Sequence, residues 1–264
     1  MKAALRVHSQ APHQFAAMKA MQDGFKKHGI ESRIVGRHEK ANADLEVIWS
    51  ARQLDAVDKR VPVLILECGY INSRTGIYKD DRLRYVSFSW NELHGLSHWQ
   101  DGLDYSRAAS MFSAARWHFD DRSQGKIIVA GQVTGDYCAP SLGWTAKIIT
   151  EASKFYGVDR VVHRPHPLEQ RSQQTLVSQL ESAYMLITWS STAAVEAVLE
   201  GVPVCVFSRG SIAYPVASND IKVRAMPDPN PWLANIACRQ FTHREMESGM
   251  AWDYQRGGYD ALST

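Results

Sequence analysis

The sequence predicts an α/β protein built from two Rossmann-like domains, each on a parallel sheet. Short Val- and Ile-rich runs, among them Ala3–Val7, Val61–Leu66 and Val158–Val162, alternate with stretches of helical period. That alternation is the pattern of βαβ units. A polar run, Asp120-Asp121-Arg122-Ser123-Gln124-Gly125, interrupts it and reads as a linker. It divides an N-terminal domain over 1–122 from a C-terminal domain over 123–264, each within the usual ~50–250 residues of a domain.

The first domain opens with a strand at Ala3–Val7 and a helix from about Gln14 to His28, in which Phe15, Met18, Met21 and Phe25 recur at helical spacing. Gly29 closes that helix, since glycine takes the left-handed backbone that follows a last turn. Strands follow at Glu31–Val35, Leu45–Trp49 and Val61–Leu66, the last running into Glu67-Cys68-Gly69-Tyr70. A carboxylate leaving a buried strand beside a glycine suits a general base; Glu67 equally suits a helix cap or a partner for Arg74. Arg82–Ser89 and Trp90–Trp99 look irregular, aromatic and polar together, a composition often found lining sites. Asp104–His118 is expected as a helix.

In the second domain Lys126–Ala130 is a strand that ends in Gly131-Gln132-Val133-Thr134-Gly135-Asp136, and Ser141–Tyr156 a helix. The two glycines permit close backbone approach to a ligand, while Asp136 serves as either a ligand contact or a cap. The spacing fits neither GxGxxG nor a Walker loop, which argues against an NAD enzyme and a P-loop NTPase. Val158–Val162, Tyr184–Thr188 and Pro203–Phe207 read as strands buried on both faces. The first leads into His163-Arg164-Pro165-His166-Pro167, two imidazoles and a guanidinium stiffened by prolines. The second leads into Trp189-Ser190-Ser191-Thr192 and an Ala-rich helix that Gly201 ends, with Ser190 or Ser191 as its cap. Strand ends of this kind bind ligands in open α/β sheets, and a helix start there favours phosphate. A short helix from Asn230 and a final one over His243–Tyr254 complete the chain; the last one suits packing back on the N-terminal domain.

Composition narrows the function classes. With 45% hydrophobic and 22% charged residues the chain is an ordinary globular protein, and a net charge of +2 does not demand a polyanionic partner. Cys68, Cys138, Cys205 and Cys238 form no CxxC pair and read as free thiols. No run approaches the ~18 apolar residues of a membrane span, so no membrane span and a cytoplasmic location are expected.

Three stretches resemble the capsule-polysaccharide and Kdo-transferase-like group of GT-B glycosyltransferases. Ile128–Asp136 is similar to the strand and Gly-Gln turn opening their C-terminal domain, Arg164-Pro165-His166-Pro167 to their His-Pro motif, and Thr188–Val204 to their Ser-Ser/Thr turn, acidic helix and Gly-x-Pro-Val strand. The resemblance covers about residues 126–207. It implies two Rossmann-like domains facing across a cleft and a nucleotide-sugar donor held by the C-terminal one. On that basis His166 and Arg164 would meet phosphate, with Ser190, Ser191 and Thr192 adding hydroxyls and N–H groups. Gly131, Gln132 and Asp136 would orient the donor, and Glu196 would reach ribose or sugar hydroxyls unless it faces solvent. Glu67-Cys68-Gly69-Tyr70 and Asn91–Gly95 look like stretches of small phage-encoded glycosyltransferase-like proteins, which would act in a host cytoplasm.

The activity implied is glycosyl transfer to an acceptor hydroxyl. Glu67 is the first choice of catalytic base, and Arg74, Asn91 and His94 are acceptor-side candidates. Asp80-Asp81 and Asp120-Asp121 look like solvated turns, so no metal and no separate cofactor are expected. The acceptor is a glycan, a small molecule or a hydroxymethylated base in DNA. Arg74, Lys79, Arg82 and Arg84, near Tyr78 and Tyr85, suit a duplex or simply form a charged face. Two alternatives use the same frame: a nucleotide-sugar 2-epimerase or polyol-phosphate transferase, and a non-catalytic nucleotide-binding module.

Overall fold

The computed structural model describes all residues except 8–10, 72–83, 101–102, 113–121, 134, 136, 171, 173 and 264. Arg74, Asp136, Tyr78, Lys79, Arg82, the pairs Asp80-Asp81 and Asp120-Asp121, and the end of the helix expected over Asp104–His118 lie outside the described residues. In chain order the elements are β1 (Lys2–Val7), α1 (Pro12–Lys27), β2 (Glu31–Gly36), β3 (Leu45–Trp49), β4 (Val63–Cys68), β5 (Tyr85–Trp90) and α2 (Ser106–Met111). Then come β6 (Lys126–Ala130), α3 (Trp144–Tyr156), β7 (Val161–Arg164), α4 (Leu176–Leu180), β8 (Ala183–Thr188), α5 (Ala193–Leu199) and β9 (Val204–Val206). The chain closes with α6 (Asn230–Ala237), β10 (Gln240–Thr242), α7 (His243–Ser248) and α8 (Met250–Leu262). Contacts divide it into two compact units, one of Met1–Ala108 with Ala234–Thr264 and one of Ala109–Leu233.

The first unit holds a six-stranded sheet in the order β10-β5-β4-β3-β1-β2. β2, β1, β3 and β4 run parallel, as the βαβ pattern predicts, while β5 and β10 add an antiparallel pairing. Strand β5 corrects the expectation of an irregular stretch over Arg82–Ser89. Val86, Phe88 and Trp90 alternate with Ser87 and Ser89, a period of two, and all five are buried. The serines disguise the strand because they give it a buried polar face.

Helix α1 lays Met18, Met21 and Phe25, all at most 1% exposed, on one face of this sheet. Each such side chain contributes about 1.5–3 kcal/mol when fully buried. Phe15, expected in the same stripe, is 54% exposed in the first turn. The helix ends as Gly29 predicts: at φ +67° the Gly29 N–H donates to the Lys26 carbonyl and the Ile30 N–H to that of Phe25, which is the Schellman closure. The final helix expected over His243–Tyr254 is instead two, α7 and α8, broken at Gly249. Gly249 sits at φ +92° against the His28 ring, and its carbonyl meets His28 Nε2 at 3.0 Å. A Cβ at Gly24 would collide with the Met246 carbonyl, so glycines on both sides bring α1 and α7 together. Phe25 and Trp252 then close the layer edge to face, with centroids 5.2 Å apart.

The second unit holds a four-stranded, wholly parallel sheet in the order β7-β6-β8-β9. Ile127, Val129, Met185, Ile187 and Cys205 form its core under Ile148 and Ala152 of α3. Strand β7 begins at Val161, after a short 3-10 turn over Val158–Arg160, and is only partly buried because it is the sheet edge. None of the four cysteines forms a disulfide, and burial pushes the Cys205 and Cys238 thiols up to about 11, so neither is a thiolate at neutral pH.

Candidate functional site

Register brings three strand ends level in the second unit. Ala130, the last residue of β6, pairs with Arg164 of β7 on one side and Thr188 of β8 on the other. The residues that leave the sheet there are Gly131-Gln132, Pro165-His166 and Trp189-Ser190-Ser191. Gly131 is the residue that lets two of these exits touch. Its N–H donates to the Arg164 carbonyl at 2.9 Å, and an added Cβ would lie 3.3 Å from His163 Nε2.

Gln132 and Ser190 brace each other across 58 residues of sequence. The Ser190 N–H donates to Gln132 Oε1 at 2.8 Å, while Gln132 Nε2 donates to Ser190 Oγ at 3.0 Å. Ser190 Oγ in turn donates to the Cys138 carbonyl at 2.9 Å, and Ser190 is 5% exposed. These two side chains fix the loops after β6 and β8 to each other. Ser191 and Thr192 are half-buried beside them. Ser191 Oγ accepts the Ala193 N–H at 3.2 Å, so it closes a local turn, and Thr192 is the helix-start residue without a side-chain cap. Gly201 ends α5 at φ +68°, with Val202 N–H donating to the Ala197 carbonyl and Gly201 N–H to that of Val198. At seven residues α5 is short, and its dipole is a lesser source of positive potential than side chains and individual N–H groups.

Those side chains are Arg164 and His166. Arg164 Nη1 donates to the Gln174 carbonyl at 3.0 Å and to Gln179 Oε1 at 2.7 Å, and burial lowers its affinity for a proton against the pull of Glu196. Burial pushes the Glu196 carboxyl up, Arg164 draws it down, and Glu200 adds to the rise. Guanidinium and carboxylate attract through space without closing an ion pair. His166 Nδ1 accepts the Leu168 N–H at 3.2 Å, which puts the proton of the neutral ring on Nε2, a donor for an anionic oxygen. Behind these exits Trp144 meets Trp189 and Phe207 edge to face, each at 5.6 Å. Gln132, Arg164, His166, Ser190, Ser191, Thr192 and Glu196 thus share one edge of one sheet. Sequence reasoning missed Gln179, the Cys138 carbonyl and the aromatic wall; an ordinary glutamine and a backbone oxygen carry no motif.

In the first unit Glu67 is half-buried, opposite Ser87 of β5, and β4 continues one residue beyond it. His94 has a left-handed backbone at φ +50° and sets its ring edge to face on Tyr70, centroids 5.6 Å apart. Asn91 sits elsewhere. Its N–H donates to the Val63 carbonyl at 2.7 Å and its Oδ1 accepts the Val63 N–H at 2.9 Å, which is the amino end of β4 and the opposite end from Glu67.

This combination of a largely parallel first sheet, a parallel second sheet and polar strand exits defines a GT-B-like fold. Two solved structures from Thermosulfurimonas dismutans share it. The KpsC beta Kdo 2,7 transferase is 15% identical, with a TM-score of 0.60 over 95% of this chain and 99% of that one. The KpsC beta Kdo 2,4 transferase is 12% identical, with a TM-score of 0.56 over 89% of each chain. No family model matches the sequence, and no curated protein does. No helix among the described residues is long and apolar enough to cross a membrane.

Proposed function

We propose that this protein transfers a glycosyl group from a nucleotide-sugar to an acceptor hydroxyl. The observation that carries the reading is the edge of the second sheet, where a braced Gln132–Ser190 pair stands beside Arg164, His166 and Glu196. Its chemistry suits a ligand that is anionic at one end and hydroxylated at the other. His166 Nε2–H and the Arg164 guanidinium meet the diphosphate or monophosphate, helped by the Ser191 and Thr192 hydroxyls. Glu196 accepts from a ribose or sugar hydroxyl. Gly131 keeps the backbone low under the donor, Gln132 and Ser190 hold the two loops in place, and Asp136 is carried as a further donor contact.

In the reaction the acceptor O–H gives its proton to Glu67 while its oxygen bonds to the anomeric carbon. The bond from that carbon to the nucleotide phosphate breaks, and the nucleotide leaves with the electron pair, its growing charge met by His166 and Arg164. The acceptor is proposed only as a hydroxyl compound. The DNA reading rested on four cations, of which Arg84 alone is among the described residues. We propose that no metal takes part.

The test is product analysis with a nucleotide-sugar substrate. Free nucleotide and a sugar joined to acceptor or water are expected, at a rate unchanged by EDTA. A sugar that stays on its nucleotide with inverted C2 would replace transfer with epimerisation. Turnover lost in EDTA and restored by a divalent ion would overturn the metal-free part alone.

A further inference from the structure

Arg164 and His166 lie at the β7 edge of the second sheet; at the opposite edge, beside β9, is a cavity of about 630 Å³. That volume falls in the ~300–1,000 Å³ range of small-molecule sites. The cavity lies between α3 and the chain that follows β9, and hydrogen bonds fix both walls. Ser218 extends the sheet beside β9, its N–H donating to the Val204 carbonyl at 3.0 Å and its carbonyl accepting the Val206 N–H at 2.8 Å. The chain then turns over 219–222. There Asp220 Oδ1 accepts the Lys222 N–H at 2.9 Å, and the Tyr156 hydroxyl donates to the Ile221 carbonyl, which ties the turn to the end of α3.

Phe155, Phe207 and Ile221 supply the apolar lining, and Phe155 is 51% exposed. The polar lining divides into groups with partners and groups without. Glu151 has Lys147 Nζ at 3.9 Å, and Asp220 holds the turn. The Lys154 and Lys222 ammoniums and the Asn219 amide close no ion pair and no hydrogen bond among the described residues. Lys222 Nζ stands 5.8 Å from the centroid of the Phe155 ring. A solvated lysine or a surface aromatic alone is ordinary; here two cations, an amide and two aromatic rings line one cavity with fixed walls. A flat ring against Phe155 and Phe207 removes their apolar surface from water, and an anionic group on it meets the ammoniums and the amide N–H. A neutral ring would leave the cations unanswered, and a bare inorganic anion would leave the phenylalanines wet. We propose that this cavity binds a small planar anion, an aromatic or heteroaromatic ring bearing a carboxylate or phosphate, at a site separate from the donor edge. The proposal does not rest on the transferase reading.

Isothermal titration of the full chain tests it. The probes are naphthoate and naphthyl phosphate as planar anions, naphthylmethanol as the uncharged ring, and cyclohexanecarboxylate as an anion without a flat face. At least one planar anion is expected to bind once per chain, and the tighter of the two names the anionic group. The uncharged and the puckered probe are expected to bind ~10-fold or more weakly. Phe155→Ala and Lys222→Gln alter exposed side chains, so both should keep the parent melting temperature, and each should weaken the planar anion ~10-fold. His166→Ala, at the other edge of the sheet, should bind it like the parent. Equal affinity for naphthylmethanol or cyclohexanecarboxylate, unchanged binding in either cavity variant, loss of binding in His166→Ala, or no binding of either planar anion overturns the proposal. Turnover of a nucleotide-sugar is no part of the readout, so the donor site stands or falls on its own measurements.

Discussion

Glu67→Gln is expected to lower kcat by ~10²–10⁴-fold, the range supplied by a positioned general base, while donor binding stays at the parent value. The substitution keeps the shape of a half-buried side chain whose backbone is in register with Ser87. What it removes is the lone pair that takes the acceptor proton. Glu67 belongs to the first unit and the residues proposed to bind the donor to the second, so a split between turnover and donor affinity is the expected signature. Steady-state rates and donor titrations on the same preparation check it. A fall of less than tenfold would exclude Glu67 as the base, and a parallel loss of donor affinity would mean that the substitution damaged the fold.

The second large effect is on stability. Arg6→Met should cost about 3–5 kcal/mol, because it strands Glu46 as a buried charge. Arg6 and Glu46 are 3% and 1% exposed. Their bond is bidentate, Nε to Oε2 at 2.8 Å and Nη2 to Oε1 at 2.7 Å. Arg6 Nη1 also donates to the carbonyls of Arg37 and Glu39 at 3.1 and 2.7 Å, pinning the loop after β2 to the neighbouring strand β1. The loss corresponds to roughly 6–20 °C in the melting of the first unit. Removing both partners together, as Arg6→Met with Glu46→Leu, should recover most of it, since an apolar pair of similar volume replaces the ions at little net cost. A calorimetric scan that finds the single variant within 1 kcal/mol of the parent, an amount too small for a stranded buried charge, would contradict the pairing.

What was legible in the chain was mostly local. Gly29 and Gly201 announced helix ends, and the structure closes both helices there with the same pair of backbone hydrogen bonds. The β1-α1-β2 opening and the parallel strands of the second unit followed from apolar runs and helical spacing. Long-range arrangements were not legible. Arg6 and Glu46 look like polar interruptions of apolar strands until the sheet sets them side by side. The serines of β5 hid a buried strand, and the break at Gly249 depends on His28, far away in sequence. At the candidate site the residue types stood out, but their division of labour did not. Ser190 and Ser191 are adjacent and alike, and only the partners Gln132 and Cys138 show that the first is committed to bracing.

The account rests first on the edge of the second sheet as a nucleotide-sugar site. The most direct measurement is thermal shift against UDP-, GDP-, CMP- and dTDP-sugars, with His166→Ala and Ser191→Ala beside the parent. A ligand at 100 times its dissociation constant adds about 2.7 kcal/mol. The account predicts a selective rise in Tm with one nucleotide class that both variants lose. No rise with any of them, or a rise that both variants keep, would contradict it.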